Sequence, residues 1–171
     1  MNFLDLIVIS LKSNNIHFSN KNITLNEIQN QIDNFNIREM YIVEEKYCFD
    51  ISSLIIKNNC ILIKFDFIRC IIFYDKIYLL DIKNLDVQKL VFNLKEITKN
   101  YDNKKLFHVY IIDLLFTEIC NYLYETIKKL APDISSSNEN IKNGNSNYTN
   151  FVYLQSKLIN LEYRIKELKN I

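Results

Sequence analysis

Residues 52–81 read SSLIIKNNCILIKFDFIRCIIFYDKIYLLD, and this stretch decides the fold. Its apolar segments are rich in β-branched residues, and polar residues interrupt them at short intervals, as expected of strands joined by tight turns. Asn58 and Asn59 separate segments 54–57 and 60–63. Because asparagine tolerates positive φ, this pair predicts a two-residue hairpin.

The second half of the stretch repeats this arrangement, with residues 74–76 separating segments 69–73 and 77–80. The apolar runs are nearly continuous rather than alternating, which indicates strands that are buried on both faces. We therefore predict an α/β domain of the α+β kind. Its sheet is mostly antiparallel and covered by helices, and the chain ends in a long stalk-like helix.

Three further segments have a strand-like composition. Residues 2–11 predict a first strand, residues 16–18 a short second strand, and residues 37–43 (IREMYIV) another. All three are apolar or β-branched over most of their length. We expect them to join the sheet.

The predicted helices follow from capping residues and apolar periodicity. Thr24 and Glu27 have the spacing of a capping box and predict a short helix. Asp86 is the predicted N-cap of a second helix with a regular apolar stripe. A longer helix is predicted over residues 107–130, ended by Pro132.

The chain divides by composition into three parts. Residues 1–132 form the predicted α/β domain, and residues 133–148 form a predicted Ser/Asn-rich, low-complexity loop that contains the only glycine. Residues 149–171 predict a final helix, since apolar residues recur there at alternating spacings of three and four. These residues are Phe151, Leu154, Leu158, Leu161, Ile165 and Leu168.

Composition argues against several functions. The chain has 21 basic and 20 acidic residues, for a net charge of +1, so no strong field favours nucleic acid. A single glycine cannot build a phosphate-binding loop, and neither histidine belongs to a recognisable nucleophile motif. We therefore expect that the protein is not an enzyme.

The four cysteines show no C-x-x-C spacing and do not predict a zinc site. We interpret them as reduced core residues of an intracellular protein. No window reaches the roughly 18 uncharged apolar residues that a membrane-spanning helix requires. We therefore expect this chain to contain no pore.

The stretch 52–81 resembles the CorA-type magnesium channels, in particular their eukaryotic, mitochondrial inner-membrane branch. That family has a pattern close to S-S-I-x-V-R-x-x-x-I-x-x-N-L-x-x-I-x-x-I-I-x-x-x-x-V-L-L-L-D. Lys57 stands where the family usually has arginine, and Lys64 where it has asparagine. The positions that fall on the pattern without a gap are Ser52, Ser53, Ile61, Ile68, Ile71, Ile72, Leu79, Leu80 and Asp81.

Two other segments extend the resemblance to nearly the whole chain. Residues 37–44 are similar to the family's R-D-L-R-x-(L/I)-D segment, with Arg38 on the first arginine and Glu39 and Glu44 in the acidic places. Tyr41 departs from the second arginine. The helix that begins at residue 107 is similar to F-E-F-R-x-L-E-x-x-L-E-x-x-C, and the matches there are Phe107, Asp113 and Cys120.

The resemblance implies a soluble regulatory domain that senses Mg²⁺ by weak binding between neighbouring subunits. Candidate ligands are Asp113 and Glu125 on the long helix and Glu162 and Glu167 on the stalk-like helix. Mg²⁺ keeps several waters, so it needs only one or two carboxylates from each subunit. The resemblance also implies a homo-pentamer for the full-length channel and the matrix side of the mitochondrial inner membrane, or alternatively a cytosol-facing domain at another membrane.

The pore-forming half of the family, with its Gly-Met-Asn loop, is not part of this sequence. Two functions therefore stay open. One is the regulatory domain of a magnesium channel. The other is a free-standing interaction module that uses its last helix as a coiled-coil surface. We expect two apolar spans around Gly-Met-Asn in the coding sequence beyond residue 171 if the first is correct.

Overall fold

The computed structural model describes residues 3–44, 52–65, 67–101, 104–142 and 148–169. Contacts divide the chain into two compact units, Met1–Leu114 and Leu115–Asn170. We describe each unit separately. The strands are β1 (Phe3–Lys12), β2 (Asn15–Thr24), β3 (Ser53–Ile56), β4 (Cys60–Phe65), β5 (Ile68–Phe73) and β6 (Lys76–Leu79). The helices are α1 (Leu25–Gln29), α2 (Ile37–Val43), α3 (Leu85–Ile97), α4 (Phe107–Lys142) and α5 (Tyr148–Lys169), with a 3-10 turn at Thr98–Asn100.

A six-stranded sheet in the order β2-β1-β6-β5-β4-β3 forms the centre of the first unit. Strands β3 to β6 follow one another as an antiparallel meander, as predicted from residues 52–81. Strand β1 pairs antiparallel with β6, and β2 lies outside it. The predicted α+β fold with a long C-terminal helix is therefore confirmed.

The hairpin turn in which an asparagine adopts positive φ is not the one that we predicted. The β3–β4 hairpin forms, and the Lys57 N–H donates to the Cys60 carbonyl at 2.9 Å, but Asn58 and Asn59 do not adopt positive φ. Positive φ occurs instead in the β1–β2 hairpin, at Ser13 (48°) and Asn14 (65°). Two central residues with positive φ define the type I′ turn, which matches the twist of the strands.

Strand β2 is longer than predicted. We expected residues 16–18, but ten residues pair with β1, from Phe3↔Thr24 to Lys12↔Asn15. The Asn22 amide also donates to Asp5 Oδ1 at 2.9 Å. Because β2 is an edge strand and largely exposed, its polar residues meet water rather than a core, and they gave no apolar signal.

Residues 37–43 form helix α2, so the strand predicted there is wrong. Asn36 is the N-cap: its side chain accepts from the Arg38 N–H at 2.9 Å, and the Asn36 N–H donates to Glu39 Oε2 at 2.7 Å. This capping box starts a helix in a segment whose composition favours a strand. Ile42 and Val43 are buried as a result.

Both faces of the sheet are buried, as the continuous apolar runs predicted. One face packs with α1 and α2 in a single core cluster that includes Ile28 and Ile42. Its sheet residues are Leu6, Val8, Ile23, Cys60, Leu62, Ile71, Phe73 and Tyr78. The alternate residues, such as the cross-strand partners Ile72 and Ile77, are buried on the opposite face. The buried stripe of α3 is not part of the first cluster.

The N-cap of helix α3 lies two residues before the predicted one. The side chain of Asn84 accepts from the Asp86 N–H at 2.8 Å, so Asn84 is the N-cap and Asp86 lies in the first turn. Aspartate in the first turn still stabilises the helix through its dipole. The predicted stripe of Val87, Leu90, Val91 and Leu94 is buried, but Ile97 is exposed.

Helix α4 continues through Pro132 to Lys142, so the predicted end at Pro132 is wrong. Proline removes one backbone donor from the helix, and serine usually favours loops. Here the Ser135 hydroxyl donates to the Ala131 carbonyl at 3.1 Å and the Ser136 hydroxyl to the Asp133 carbonyl at 3.0 Å. These bonds keep the serines compatible with helix. Residues 133–142, where we predicted a loop, are therefore helical, and residues 143–147 lie outside the described residues.

Helix α5 confirms the predicted final helix over most of its length. Of the predicted apolar seam, Leu154 and Leu161 are buried, at 6% and 8% exposure. Phe151 and Leu158 keep 47% and 40% of their surface exposed. The side chain of Leu168 lies outside the described residues. The division of the chain into residues 1–132, 133–148 and 149–171 as domains stays a prediction.

Candidate functional site

Three of the four predicted magnesium ligands are exposed carboxylates, and each one pairs with a lysine. Asp113 lies 3.3 Å from Lys105 Nζ in the first unit. In the second unit, Glu125 lies 3.8 Å from Lys128 Nζ, and Glu162 lies 2.7 Å from Lys166 Nζ. The side chain of Glu167 lies outside the described residues.

Glu162 has the tightest of these pairs. It follows the i,i+4 arrangement on α5, and the hydrogen bond from Lys166 together with its charge lowers the pKa of Glu162. The carboxylate is therefore ionised at neutral pH and ready to bind a cation. Exposed pairs of this kind contribute little to stability, so a divalent cation can displace the lysine at small cost.

A complete metal site does not form within one described chain. Among the residues that the structure describes, no group of three or more His, Cys, Asp or Glu side chains is close enough to hold a metal ion. Each of the three described candidate carboxylates is more than half exposed to solvent. Carboxylate oxygens are the ligand type that Mg²⁺ prefers, and the ion keeps several waters.

The strongest polar contacts of the first unit are two ion pairs that sequence reasoning did not identify. Glu39, only 1% exposed, lies 2.6 Å from Lys57 Nζ, which also donates to the Asn34 carbonyl at 3.0 Å. Arg69, 5% exposed, donates through Nε and Nη2 to both carboxylate oxygens of Asp81 and through Nη1 to the Ile42 carbonyl at 3.3 Å. The first pair connects α2 to the β3–β4 turn, and the second connects the segment after β6 to β5.

The local backbone explains how each acidic partner reaches its position. Glu39 is the N3 residue of the α2 capping box, so its carboxylate already accepts from the Asn36 N–H. Asp81 follows the last strand and adopts φ 60°, which turns the chain towards α3. The N-x-x-E spacing of Asn36 and Glu39 was the signal that could have predicted the first position.

The fall in the free energy of unfolding at acidic pH should depend on Glu39. Burial alone would raise its pKa, but the hydrogen bond from Lys57 and the backbone N–H donors outweigh burial, so the pKa lies below the ordinary value of 4.5. A carboxyl whose pKa is lower in the folded state stabilises the fold above its unfolded pKa. That contribution is lost as the pH falls below 4.5 and through the folded pKa.

We therefore expect Glu39→Gln to flatten the loss of stability below pH 4.5, as measured by urea unfolding at successive pH values. Glu96→Gln is the matched control, because Glu96 is exposed on α3 and pairs at 2.7 Å with Lys99 of the adjoining 3-10 turn. If the free energy of unfolding falls as steeply below pH 4.5 in the Glu39 variant as in the native chain, this interpretation of the pair is contradicted.

An open groove lies between the start of β2 and the end of α3. Its volume is about 420 Å³, and it is lined by Asn15, Ile16, His17, Phe18, Lys95, Thr98 and Lys99. Lys95 Nζ lies 5.8 Å from the centre of the Phe18 ring, and Lys99 is engaged by Glu96. The lining contains no carboxylate, so this groove does not suit a magnesium ion.

The cysteines differ in environment. Cys60 and Cys70 are buried free thiols, and burial raises their pKa values to about 11 and about 12. They fit the predicted role of small core residues. Cys120 is exposed, so the core position predicted for it is wrong, because the buried stripe of α4 runs through Leu115, Ile119 and Leu123 and leaves Cys120 outside it. Cys48 lies outside the described residues.

Comparison with known proteins identifies no relative of this chain. No protein family model matches the sequence, and a search of curated proteins finds no match. Within the described part of the chain, no helix is long and apolar enough to cross a membrane.

Proposed function

We propose that this chain is the soluble regulatory domain of a CorA-type magnesium channel and that it senses Mg²⁺ through exposed carboxylates shared between subunits. The observation that carries the proposal is the position of the residues that resemble the family. Five of the nine matched positions in residues 52–81 lie in strands β4 to β6, where Ile68, Ile71, Ile72 and Leu79 are fully or nearly fully buried. This part of the resemblance thus rests on the core of the domain.

The polar positions of the resemblance also support the proposal. Lys57, which stands on the family's arginine, pairs with Glu39, which stands in an acidic place of a different segment. Asp81, the last residue of the pattern, pairs with Arg69. The Glu39–Lys57 pair joins two separate matched segments, which is expected if those segments share the family's arrangement, whereas chance matches need not meet in space.

The sensing mechanism follows from the chemistry of the carboxylates. Each subunit offers one or two oxygen ligands, and Mg²⁺ keeps its remaining waters, so one chain alone binds the ion weakly. A dissociation constant in the millimolar range corresponds to about 4 kcal/mol. Binding that joins two subunits stabilises the assembled state by mass action, which in the proposed channel favours the closed pore.

We expect calorimetric titration with Mg²⁺ to give millimolar affinity that Glu162→Ala and Asp113→Ala weaken. Lys166→Ala should strengthen binding, because it removes the cation that competes for Glu162. Glu96→Ala is the matched control, since Glu96 is an exposed, lysine-paired carboxylate outside the predicted ligands. Equal loss in the control and candidate variants would show nonspecific screening and contradict the proposal.

The exposed side of α5 favours the second function, an interaction module. Phe151 and Leu158 belong to the predicted coiled-coil seam, yet they are 47% and 40% exposed. Val152 and Ile159 beside them are 45% and 59% exposed. A helix with this many exposed apolar side chains offers a surface against which another helix can pack.

A further inference from the structure

Strand β3 is an edge of the sheet, and it lacks the residues that usually protect an edge from pairing. It comes last in the strand order, so β4 is its only strand neighbour among the described residues. Edge strands are commonly protected by charged side chains or proline. Residues 52–56 (SSLII) contain neither, whereas the other edge strand, β2, is mostly polar and contains Lys21. Strand β3 is therefore the edge at which another strand can pair.

The hydrogen-bond pattern of the β3–β4 hairpin shows which backbone groups of β3 face outward. The Lys57 N–H donates to the Cys60 carbonyl at 2.9 Å, so these two residues form a hydrogen-bonded pair. Such pairs alternate along an antiparallel ladder, which makes Ile55 the next residue of β3 that bonds to β4. The N–H and C=O groups of Leu54 and Ile56 therefore point away from β4, towards the open side of the strand.

The side chains of the same two residues are also exposed. Leu54 keeps 39% of its surface exposed and Ile56 keeps 72%. Ile55, which lies between them, faces the other side of the sheet and packs against the core cluster with α1 and α2. Outward-facing backbone donors and acceptors thus occur together with uncovered aliphatic side chains. An extended strand with aliphatic side chains satisfies both when it adds to the edge.

We propose that β3 pairs antiparallel with β3 of a second copy of this chain, so that the two sheets join across a twofold axis. In this pairing Leu54 lies opposite the partner's Ile56, and Ile55 lies opposite the partner's Ile55. The inference goes beyond both functions proposed above. It depends neither on magnesium nor on α5, so its failure would leave those proposals unchanged.

The register follows from the groups that face outward. Hydrogen-bonded pairs between the two copies must form between outward-facing residues, here Leu54 and Ile56. Pairing Leu54 with the partner's Ile56 occurs twice around the axis, and each pair exchanges both of its N–H···O bonds. The same register places an aliphatic side chain opposite each exposed aliphatic side chain. A shift of two residues in either direction would place one of them opposite Ser52 or Asn58 instead.

The segment is complementary to itself, and this property identifies the partner as a second copy. A twofold interface uses the same patch on both chains, so each residue must fit its equivalent across the axis. Here Ile55 meets the partner's Ile55 beside the two core clusters. Lys57 lies opposite the partner's Ser53, so no like charges oppose each other, and Lys57 is already held by Glu39 at 2.6 Å.

Sedimentation equilibrium of the full chain in EDTA tests the association. We expect a dimer with a dissociation constant on the order of 100 µM, as suits a small interface. Ile56→Pro should weaken it at least about 10-fold, because proline removes an outward N–H twice in the dimer while the bonds to β4 remain. Asn20→Pro is the matched control and should leave the association unchanged. Asn20 is exposed on β2, and by the same alternation from the Lys12–Asn15 pair its N–H faces outward.

A second variant separates backbone pairing from general apolar contact. Ile56→Thr keeps the N–H and the β-branched shape but makes the side chain more polar, so it should weaken the dimer less than Ile56→Pro does. Circular dichroism shows whether each variant keeps the fold of the native chain. A native chain that stays monomeric at about 1 mM would overturn the proposal, because an interface of this kind should be populated there. Equal weakening by Asn20→Pro and Ile56→Pro, or by Ile56→Thr and Ile56→Pro, would overturn it too.

Amide hydrogen exchange followed by NMR locates the interface. Between about 20 µM and about 1 mM chain, the expected dissociation constant lowers the monomer fraction about fourfold, so the Leu54 and Ile56 amides should exchange about fourfold more slowly. The Asn20 amide should exchange at the same rate in both samples. Slow exchange of Leu54 and Ile56 at both concentrations would show that the same chain covers the edge, and a dimer without any slowing would place the interface elsewhere. Either result would overturn the proposal.

Discussion

Replacement of Arg69 by methionine is expected to lower the free energy of unfolding of the first unit by about 3 kcal/mol. Arg69 is 5% exposed and holds both carboxylate oxygens of Asp81 while donating to the Ile42 carbonyl. Its removal leaves a partly buried carboxylate without its cation, which is the costly way to break a buried pair. Urea unfolding followed by circular dichroism measures the change.

Two further variants separate the charge from other effects. Asp81→Asn keeps a residue that tolerates the φ of 60° and removes only the negative charge. The double variant should cost clearly less than the sum of the single variants, since each single change leaves one partner alone. Arg38→Met is the matched control: Arg38 is exposed, and we expect a change of less than about 0.5 kcal/mol. Additive single effects would show that Arg69 and Asp81 are not coupled.

Ile71→Ala is expected to cost about 3–4 kcal/mol, because it leaves a cavity in the middle of the sheet. Ile71 is 0% exposed on β5 and belongs to the core cluster with α1 and α2. Ile56→Ala is the matched control: the same residue on edge strand β3 is 72% exposed. Thermal and urea unfolding should separate the two variants clearly. Equal effects would contradict the order of strands that places β5 inside and β3 at the edge.

The sheet could be predicted from sequence because its central strands are buried on both faces. A run such as residues 68–73, which is apolar except for Arg69, is typical of a strand buried on both faces, and the polar interruptions between such runs indicated where the strands turn. Edge strand β2 gave a much weaker signal, since residues 19–22 pair with β1 while facing water. Periodicity reports burial, so it is least informative where a strand is exposed.

Local capping decided the segments that were predicted wrongly. Residues 37–43 have the composition of a strand, but the Asn36–Glu39 capping box starts a helix that the buried Ile42 and Val43 then hold in place. In α4, the helix continues past Pro132, and the Ser135 and Ser136 hydroxyls there donate to carbonyls of the preceding turn. At residues 37–43, the capping bonds outweighed average propensity.

The candidate site was less predictable than the fold. Sequence could name Asp113, Glu125 and Glu162 as exposed acidic residues but could not show that each one has a lysine partner. Those partners come from helical spacing at Glu125 and Glu162, and from the turn before α4 at Asp113. The ion pairs Glu39–Lys57 and Arg69–Asp81 were also missed, because each joins residues far apart in sequence.

Thermal melting and sedimentation of the chain at about 5 mM Mg²⁺, against matched Ca²⁺ and EDTA samples, test the regulatory proposal most directly. We predict that Mg²⁺ raises both the Tm and the degree of association, and that Ca²⁺ does so less, because compact octahedral geometry with retained waters favours the smaller ion. Glu162→Ala should abolish the response and Glu96→Ala should keep it. No change in Tm or association with Mg²⁺, or an equal response in Glu162→Ala, would contradict the proposal.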